Sequence, residues 1–278
     1  MLDPQRTLNC GGQLLSLDRP LVMGIMNLTP DSFYAGSRQA GVEMAVETAG
    51  EMLADGASIL DLGGMSSRPG AELISSKKER KRIIPAVAAI KAAYPSAVIS
   101  VDTVYAATAR AAVAEGAGMI NDISAGSIDP ELLECLPELN VPYVLMHMRG
   151  KPTNMQKKTK YKDLIGEIWD FLAEKNAQLT AAGVNDIILD PGFGFGKSVK
   201  QNYKLLNNLH AFQTMNRPVL AGISRKSMIW RALDVEPSEA LNGTTALHVI
   251  ALQQGAAILR VHDVREAIEV VKLMDILR

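Results

Sequence analysis

Residues 104–122, VYAATARAAVAEGAGMIND, hold the unit from which the rest of the chain is built. The alanine-rich run Val104–Ala114 reads as a helix, since alanine gives up the least entropy on becoming helical. Gly116 sits where a helix closes in a left-handed conformation, which glycine adopts without a Cβ penalty. Three residues later the chain enters a short apolar strand at Met119-Ile120, and that strand ends on Asn121 and Asp122. The unit thus runs from helix to glycine to strand to a polar strand end.

The same unit recurs on both sides of it. PLVMGIM ends at Asn27, SILDLGG carries Asp61 and AVISVD delivers Asp102. Further on, YVLMH delivers His147, DIILD supplies Asp190, VLAGIS supplies Ser224 and AILRVH carries Arg260 and His262. Helix candidates between the strands are Val42–Ala54, Lys77–Ala93, Pro130–Leu139, Leu164–Ala182, Gln201–Leu209, Ala240–Gln253 and Val264–Leu277. The joints ADGAS, AAGVN and QQGAA repeat the AEGAG pattern and place Gly56, Gly183 and Gly255 just past a helix end. Eight alternating units point to an α/β fold, a (β/α)8 TIM barrel, with a doubly wound sheet as the alternative. A barrel of this kind takes about 250 residues, so the 278 residues read as a single domain, 1–278. The first twenty residues stand outside the repeat. TLNCGGQLLSL reads as a hairpin turning at Gly11-Gly12, expected to cover the bottom of the barrel.

Parallel strands bring their C-terminal ends to one rim, so the polar strand ends converge on one mouth. The helix-to-strand joints are short, whereas Leu28–Gly41, Met65–Ser76 and Met148–Lys162 are long strand-to-helix loops. Long loops on one rim mark the functional face. Composition narrows the partners. A formal charge of −1 and no Lys/Arg block leave no footprint for nucleic acid, and Lys157, Lys158 and Lys160 read as a solvated loop. No apolar run is long enough for a membrane and MLDPQRTLNCGG lacks a signal-peptide core. Cys10 and Cys135 match no metal or redox spacing, so a cytoplasmic protein with two inert thiols is expected.

Three groups of residues carry chemistry. Asp102, Asn121 and Asp190 offer two carboxylates and an amide across the mouth, a set that suits a heterocycle with an amidine or guanidine edge. The plainer role for Asp102 and Asp122 is capping of the helices that follow. Arg260 and His262, two apart on the last strand, face the same side, and Lys226 follows the seventh strand in GISRKS. Cations after the last two strands of a barrel point to an anion site. Asn27 either offers an oxygen to a Mg²⁺ whose other ligands are phosphate and water, or pins its own loop. Pro191 ends the Asp190 strand. In LDPGFGFGKS the GKS is not a phosphate-binding P-loop, because Pro191 stands where that motif needs glycine.

Taken in order, MGIMNLTPDSF, DLGGMSSRPGA, VDT, NDIS, MHMRG, LDPGFGFGK, GISRKS and RVHD resemble the dihydropteroate synthase family of pterin-binding enzymes over nearly the whole chain. The resemblance implies condensation of 6-hydroxymethyl-7,8-dihydropterin diphosphate with 4-aminobenzoate, giving dihydropteroate and pyrophosphate. It implies that Asp102, Asn121 and Asp190 bind the pterin between walls of Ile123, Met146, Gly194 and Phe195. By the same resemblance Arg260 packs on the pterin and, with Asn27, Ser67 and His262, holds the diphosphate, while Asn27 ligates Mg²⁺. Lys226 lies between the two substrates, and Phe33, Arg68, Pro69 and Ser227 face the aminobenzoate. Asp102, Asp190, Lys226, Arg260 and His262 are therefore the expected catalytic set, and a homodimer is the expected assembly. The chain departs from the commonest family pattern at Tyr34, Ala35, Met65 and Ser67. Ser67 keeps the hydroxyl, whereas Ala35 lacks a loop carboxylate. A pterin-binding methyltransferase that serves a corrinoid protein is the rival reading, and a non-catalytic pterin carrier is a second. Neither needs the Arg260, His262 and Lys226 cluster.

Overall fold

A computed structural model describes residues 5–29, 38–65 and 72–277. Two strands, β1 (Thr7–Cys10) and β2 (Gln13–Ser16), pair antiparallel in a hairpin. Eight more strands alternate with helices. They are β3 (Leu21–Asn27), β4 (Ile59–Gly63), β5 (Ile99–Asp102), β6 (Met119–Asp122), β7 (Tyr143–Met146), β8 (Ile187–Asp190), β9 (Leu220–Ala221) and β10 (Ile258–Val261). All run parallel in the order β8-β7-β6-β5-β4-β3-β10-β9, and a parallel bridge between Leu189 and Val219 closes the ring. The barrel expected from the repeat is therefore present, and the open sheet is not.

The helices around it, among the described residues, are α1 (Arg38–Ala54), α2 (Ser76–Ala93), α3 (Ala106–Ala114), α4 (Glu131–Leu139), α5 (Leu164–Ala181), α6 (Val199–Leu206), α7 (Ser227–Leu233), α8 (Leu241–Gln253) and α9 (Val264–Ile276). Gly56, Gly116, Gly183 and Gly255 all take the left-handed conformation at helix ends, with φ from 87° to 103°. The repeat gave no sign of α7. It is only seven residues long and its first residue is held by no side-chain cap, so it carries little local signal.

Alternation along each strand sorts the side chains into two sets. Leu60, Leu62, Val101, Ile120, Leu145, Leu189, Leu259 and Val261 face the helices and form the main core. Inside the barrel, the strand starts contribute Leu21, Met23, Ile59, Val98, Met119, Val144, Ile188, Leu220 and Ile258 to a dry lower layer. Leu8 and Cys10 of the hairpin complete that layer. Cys10 O approaches so closely that a Cβ on Gly118 would meet it at 3.0 Å. Asp186, just before β8, fixes the hairpin by accepting from Gln5 Nε2 at 2.5 Å and from the Asn9 amide at 2.7 Å. The interior is thus apolar below, and polar side chains enter only near the strand ends.

Candidate active site

Strand register sets the heights of the polar groups. Asp102 pairs with Asn121 and with Gly63, whereas Asn121 pairs with Val144 and Met146 with Asp190, so Asp190 stands one inward step beyond the level of Asp102 and Asn121. Asp61 pairs with Ser100, one inward step lower, and forms the floor beneath them. Arg260 enters from β10 and ties floor to rim. Its Nε donates to Asp61 Oδ2 at 2.7 Å, and its Nη2 donates to Asp102 Oδ2 at 3.0 Å. Asn121 Nδ2 donates to the same Asp61 oxygen at 3.0 Å. Asp61 is fully buried, and its other oxygen has no hydrogen-bond partner among the described residues.

Electrostatics follow from burial. Burial raises the Asp102 carboxyl to about 7 against the pull of Arg260, while the neighbouring charges of Asp61, Glu79 and Asp122 add to the rise. Asp190 is likewise raised by burial, opposed by Lys226, by the Gly192 amide and by Lys197 and Arg260. Burial works in the other direction on the cations. It pulls Lys226 down to about 8, with Asp190 opposing. Arg260 loses to burial as well, yet Asp61 and Asp102 more than compensate and hold it charged. Lys226 and Arg260 each feel both acids, so the four form one connected cluster.

Local structure aims the remaining groups. Arg225 adopts a left-handed φ of 52°, fixed by its paired bonds to Asp263 and by its amide on Thr244 Oγ1. Lys226 follows it as the cap of α7. The Lys226 ammonium donates to Phe193 O at 2.5 Å and lies 4.8 Å from the centre of the Phe195 ring. Ser227 begins α7 directly behind it. His262 has an exposed edge, and its Nδ1 lies 3.1 Å from Ser224 Oγ. Partial burial of the ring, with the charges of Arg260, Arg225 and Lys226, lowers its pKa to about 4, so it meets an anion as a neutral N–H donor. Ile123, Met146 and Phe195 bury together with Met65, Val104 and Met155 to wall the upper pocket. Gly194, half-buried, lies against the Lys226 stem.

Asn27 ends β3 beside Gly63 and is half-buried at the rim. Among the described residues, no group of three or more His, Cys, Asp or Glu side chains gathers to hold a metal. One neutral amide oxygen suits a hard cation that arrives with phosphate oxygens and water, and does not suit a cage made by the protein alone. Phe33, Ser67, Arg68 and Pro69 lie outside the described residues.

Two strand-end acids part ways, Asp61 joining the cluster and Asp122 anchoring a turn where the sequence suggested a helix cap. Asp122 points outward from the barrel and accepts from the Ser124 and Gly126 amides at 2.6 and 2.7 Å and from Tyr143 Oη at 2.8 Å. It is a turn anchor. Asp61, noted at a strand end but given no role, is the shared acceptor beneath the pocket. Strand alternation separates them, since Asp61 is inward-facing and Asp122 is not.

Comparison with known proteins gives a consistent family. The family described as pterin binding enzyme matches residues 23–262. The dihydropteroate synthase of Escherichia coli K12 is 45% identical over 266 residues, covering 95% of this chain and 94% of that protein. The solved dihydropteroate synthase of Xanthomonas albilineans with 4-aminobenzoic acid superposes with a TM-score of 0.91 at 41% identity, covering 98% of both chains. That of Yersinia pestis with a sulfonamide drug gives 0.92 at 41% identity, covering 98% of this chain and 99% of the other.

Proposed function

The chain belongs to the pterin-binding enzyme family, as a dihydropteroate synthase, and from that premise we propose how its residues divide the reaction. The reaction joins 6-hydroxymethyl-7,8-dihydropterin diphosphate to 4-aminobenzoate and releases pyrophosphate. One observation carries the assignment of roles: the buried acids and the cations occupy a single cluster, with Arg260 bonded to two of the acids. A substrate with a hydrogen-bond-donating ring at one end and a diphosphate at the other needs that adjacency.

Asp102, Asn121 and Asp190 receive the pterin edge, and Ile123, Met146, Gly194 and Phe195 hold its faces. Ring N–H donors add to the neutralisation of Asp102 that Arg260 supplies. Arg260 and Lys226 then take up charge as the diphosphate leaves, and His262, Asn27 and Ser67 donate hydrogen bonds to it. Departure of diphosphate runs ahead of attack, because dihydropterin nitrogens delocalise the positive charge left on the methylene carbon. Asp102 and Asp190, preorganised and buried, stabilise that charge. The aromatic amine of aminobenzoate is neutral at pH 7, so the attack needs no strong base. Phe33, Arg68, Pro69 and Ser227 are assigned to the 4-aminobenzoate on the family resemblance. A Mg²⁺ ligated by Asn27, when bound, would withdraw charge from the diphosphate oxygens.

Two further assignments belong to this reading. Leu273, Ile276 and Leu277 leave an apolar surface exposed at the end of α9, which supports a homodimer. Among the described residues no helix is long and apolar enough to cross a membrane, and both cysteines are buried and free, which agrees with a cytoplasmic site of action. The decisive test is titration calorimetry of a pterin on Asp190→Asn. Loss of one charge-assisted contact should cost roughly 1.5–3 kcal/mol of affinity. Unchanged affinity rejects the role given to Asp190.

A further inference from the structure

The loop after β8 contains a second buried cation that the reaction does not use. Lys197 is only 2% exposed. Its Nζ lies 2.8 Å from Gly192 O, 3.1 Å from Phe195 O and 3.1 Å from His147 Nδ1. An ammonium has three N–H donors, and these three acceptors use them all. His147 is able to accept because burial, reinforced by Lys197 and Arg149, holds its pKa near 2 and its ring neutral. The ring itself is fixed edge-on against Phe171, 5.1 Å away.

The backbone explains what the lysine is for. Gly192, Gly194 and Gly196 all have positive φ, so this segment forms no regular ladder, and its internal backbone bond runs from the Phe195 amide to Gly192 O at 3.2 Å. Side chains serve the carbonyls at five consecutive positions. Lys197 serves Gly192 and Phe195, Lys226 serves Phe193, Gln156 serves Gly194 and Tyr161 serves Gly196. Within that turn the Gly192 amide donates to Asp190 Oδ1 at 2.7 Å. A Cβ on Gly192 would sit 1.9 Å from His147 O, so the turn presses directly on the strand end that carries His147.

We propose that Lys197 is a positioning residue, whose ammonium, clasped by His147, holds the Gly192–Phe195 turn so that Asp190 and the Phe195 ring keep the geometry of the pterin pocket. The inference rests on the pterin-binding role given to Asp190 above. Burial pulls the Lys197 pKa to about 7 against the attraction of Asp190, a large penalty for an amine two of whose three donors serve one loop.

Steady-state kinetics on full-length Lys197→Met and the milder Lys197→Gln, beside Asp190→Asn, tests it. In Lys197→Met the KM for the dihydropterin diphosphate should rise about tenfold, the scale of one lost charge-assisted hydrogen bond. Lys197→Gln keeps two N–H donors and should show a smaller rise. The KM for 4-aminobenzoate should stay unchanged in both. A lowered melting temperature with both KM values intact overturns the inference, and so does an equal rise in the two. Lys197→Gln alone decides the matter if Lys197→Met fails to fold. If Asp190→Asn leaves the pterin KM unchanged, the pterin role of Asp190 falls first. If Asp190→Asn raises it and folded Lys197→Gln does not, only the clasp falls.

Discussion

The two ends of the barrel interior are built from the same strands and follow opposite rules. At the lower end Met23, Ile59, Val98, Met119, Val144, Ile188 and Ile258 exclude water above the Leu8 and Cys10 plug. One or two inward steps along those strands, Asp61, Asp102, Asn121, Asp190 and Arg260 replace them. The lower end gains free energy from apolar burial, about 25 cal/mol for each Å² removed from water. The upper end loses free energy, because buried carboxylates and amines forgo hydration that their mutual attraction returns only in part. Stability is thus concentrated where there is no chemistry, and chemistry is placed where the fold is under electrostatic stress.

That contrast is open to direct attack. The largest effect is expected below. Ile59→Ala should lower the unfolding free energy by about 2–5 kcal/mol, as large-to-small core changes do. Both KM values should stay as they were, and chemical denaturation paired with kinetics reads the two quantities separately. A shifted pterin KM would mean the layers are not independent. Next, Arg260→Ala should cut turnover about 10²-fold or more, the scale of one preorganised charge donor. It should also destabilise the protein by leaving Asp61 and Asp102 as buried acids without their cation. Near-normal steady-state rates would contradict the cluster.

The smallest effect is a slope. The folded-state pKa of Asp102 is raised to about 7 from 3.8, so its contribution to stability is full below about pH 4 and is lost as pH rises toward 7. His147 and His262, lowered to about 2 and about 4, act oppositely as pH falls below their ordinary 6.5. Comparison with Asp102→Asn cancels the histidines. Relative to that variant, the substrate-free wild type should lose melting temperature between pH 4 and 7. A constant difference across that range would mean that Asp102 titrates normally.

Much of this is legible in the sequence itself. The eight strands, the glycine helix ends and the hairpin announced themselves because each rests on local chemistry, a β-branched run or a residue free to take positive φ. Asp102, Asn121, Asp190, Lys226, Arg260 and His262 are legible as candidates because each ends or follows a strand. The misses have a common cause. The floor position of Asp61 depends on its pairing with Ser100, the outward turn of Asp122 on strand phase, and the clasp at Lys197 on His147, fifty residues earlier. None of these is a local property of sequence. The GKS of LDPGFGFGKS contains Lys197, but only its unsuitability as a phosphate loop is legible there.

The ring of strands has one thin seam. β7 and β8 share four residue pairs, whereas β8 meets the β9 side through the single bridge from Leu189 to Val219, supported by the Leu189 amide on Pro218 O at 2.9 Å. Asp190 stands on one lip of that seam, and the chain runs from the other lip to Lys226. Where a wall is stitched this lightly, local opening requires the least work. Any breathing of the wall there would part this acid from this base before it disturbed the tightly laced far side, and amide hydrogen exchange along β9 would register it first.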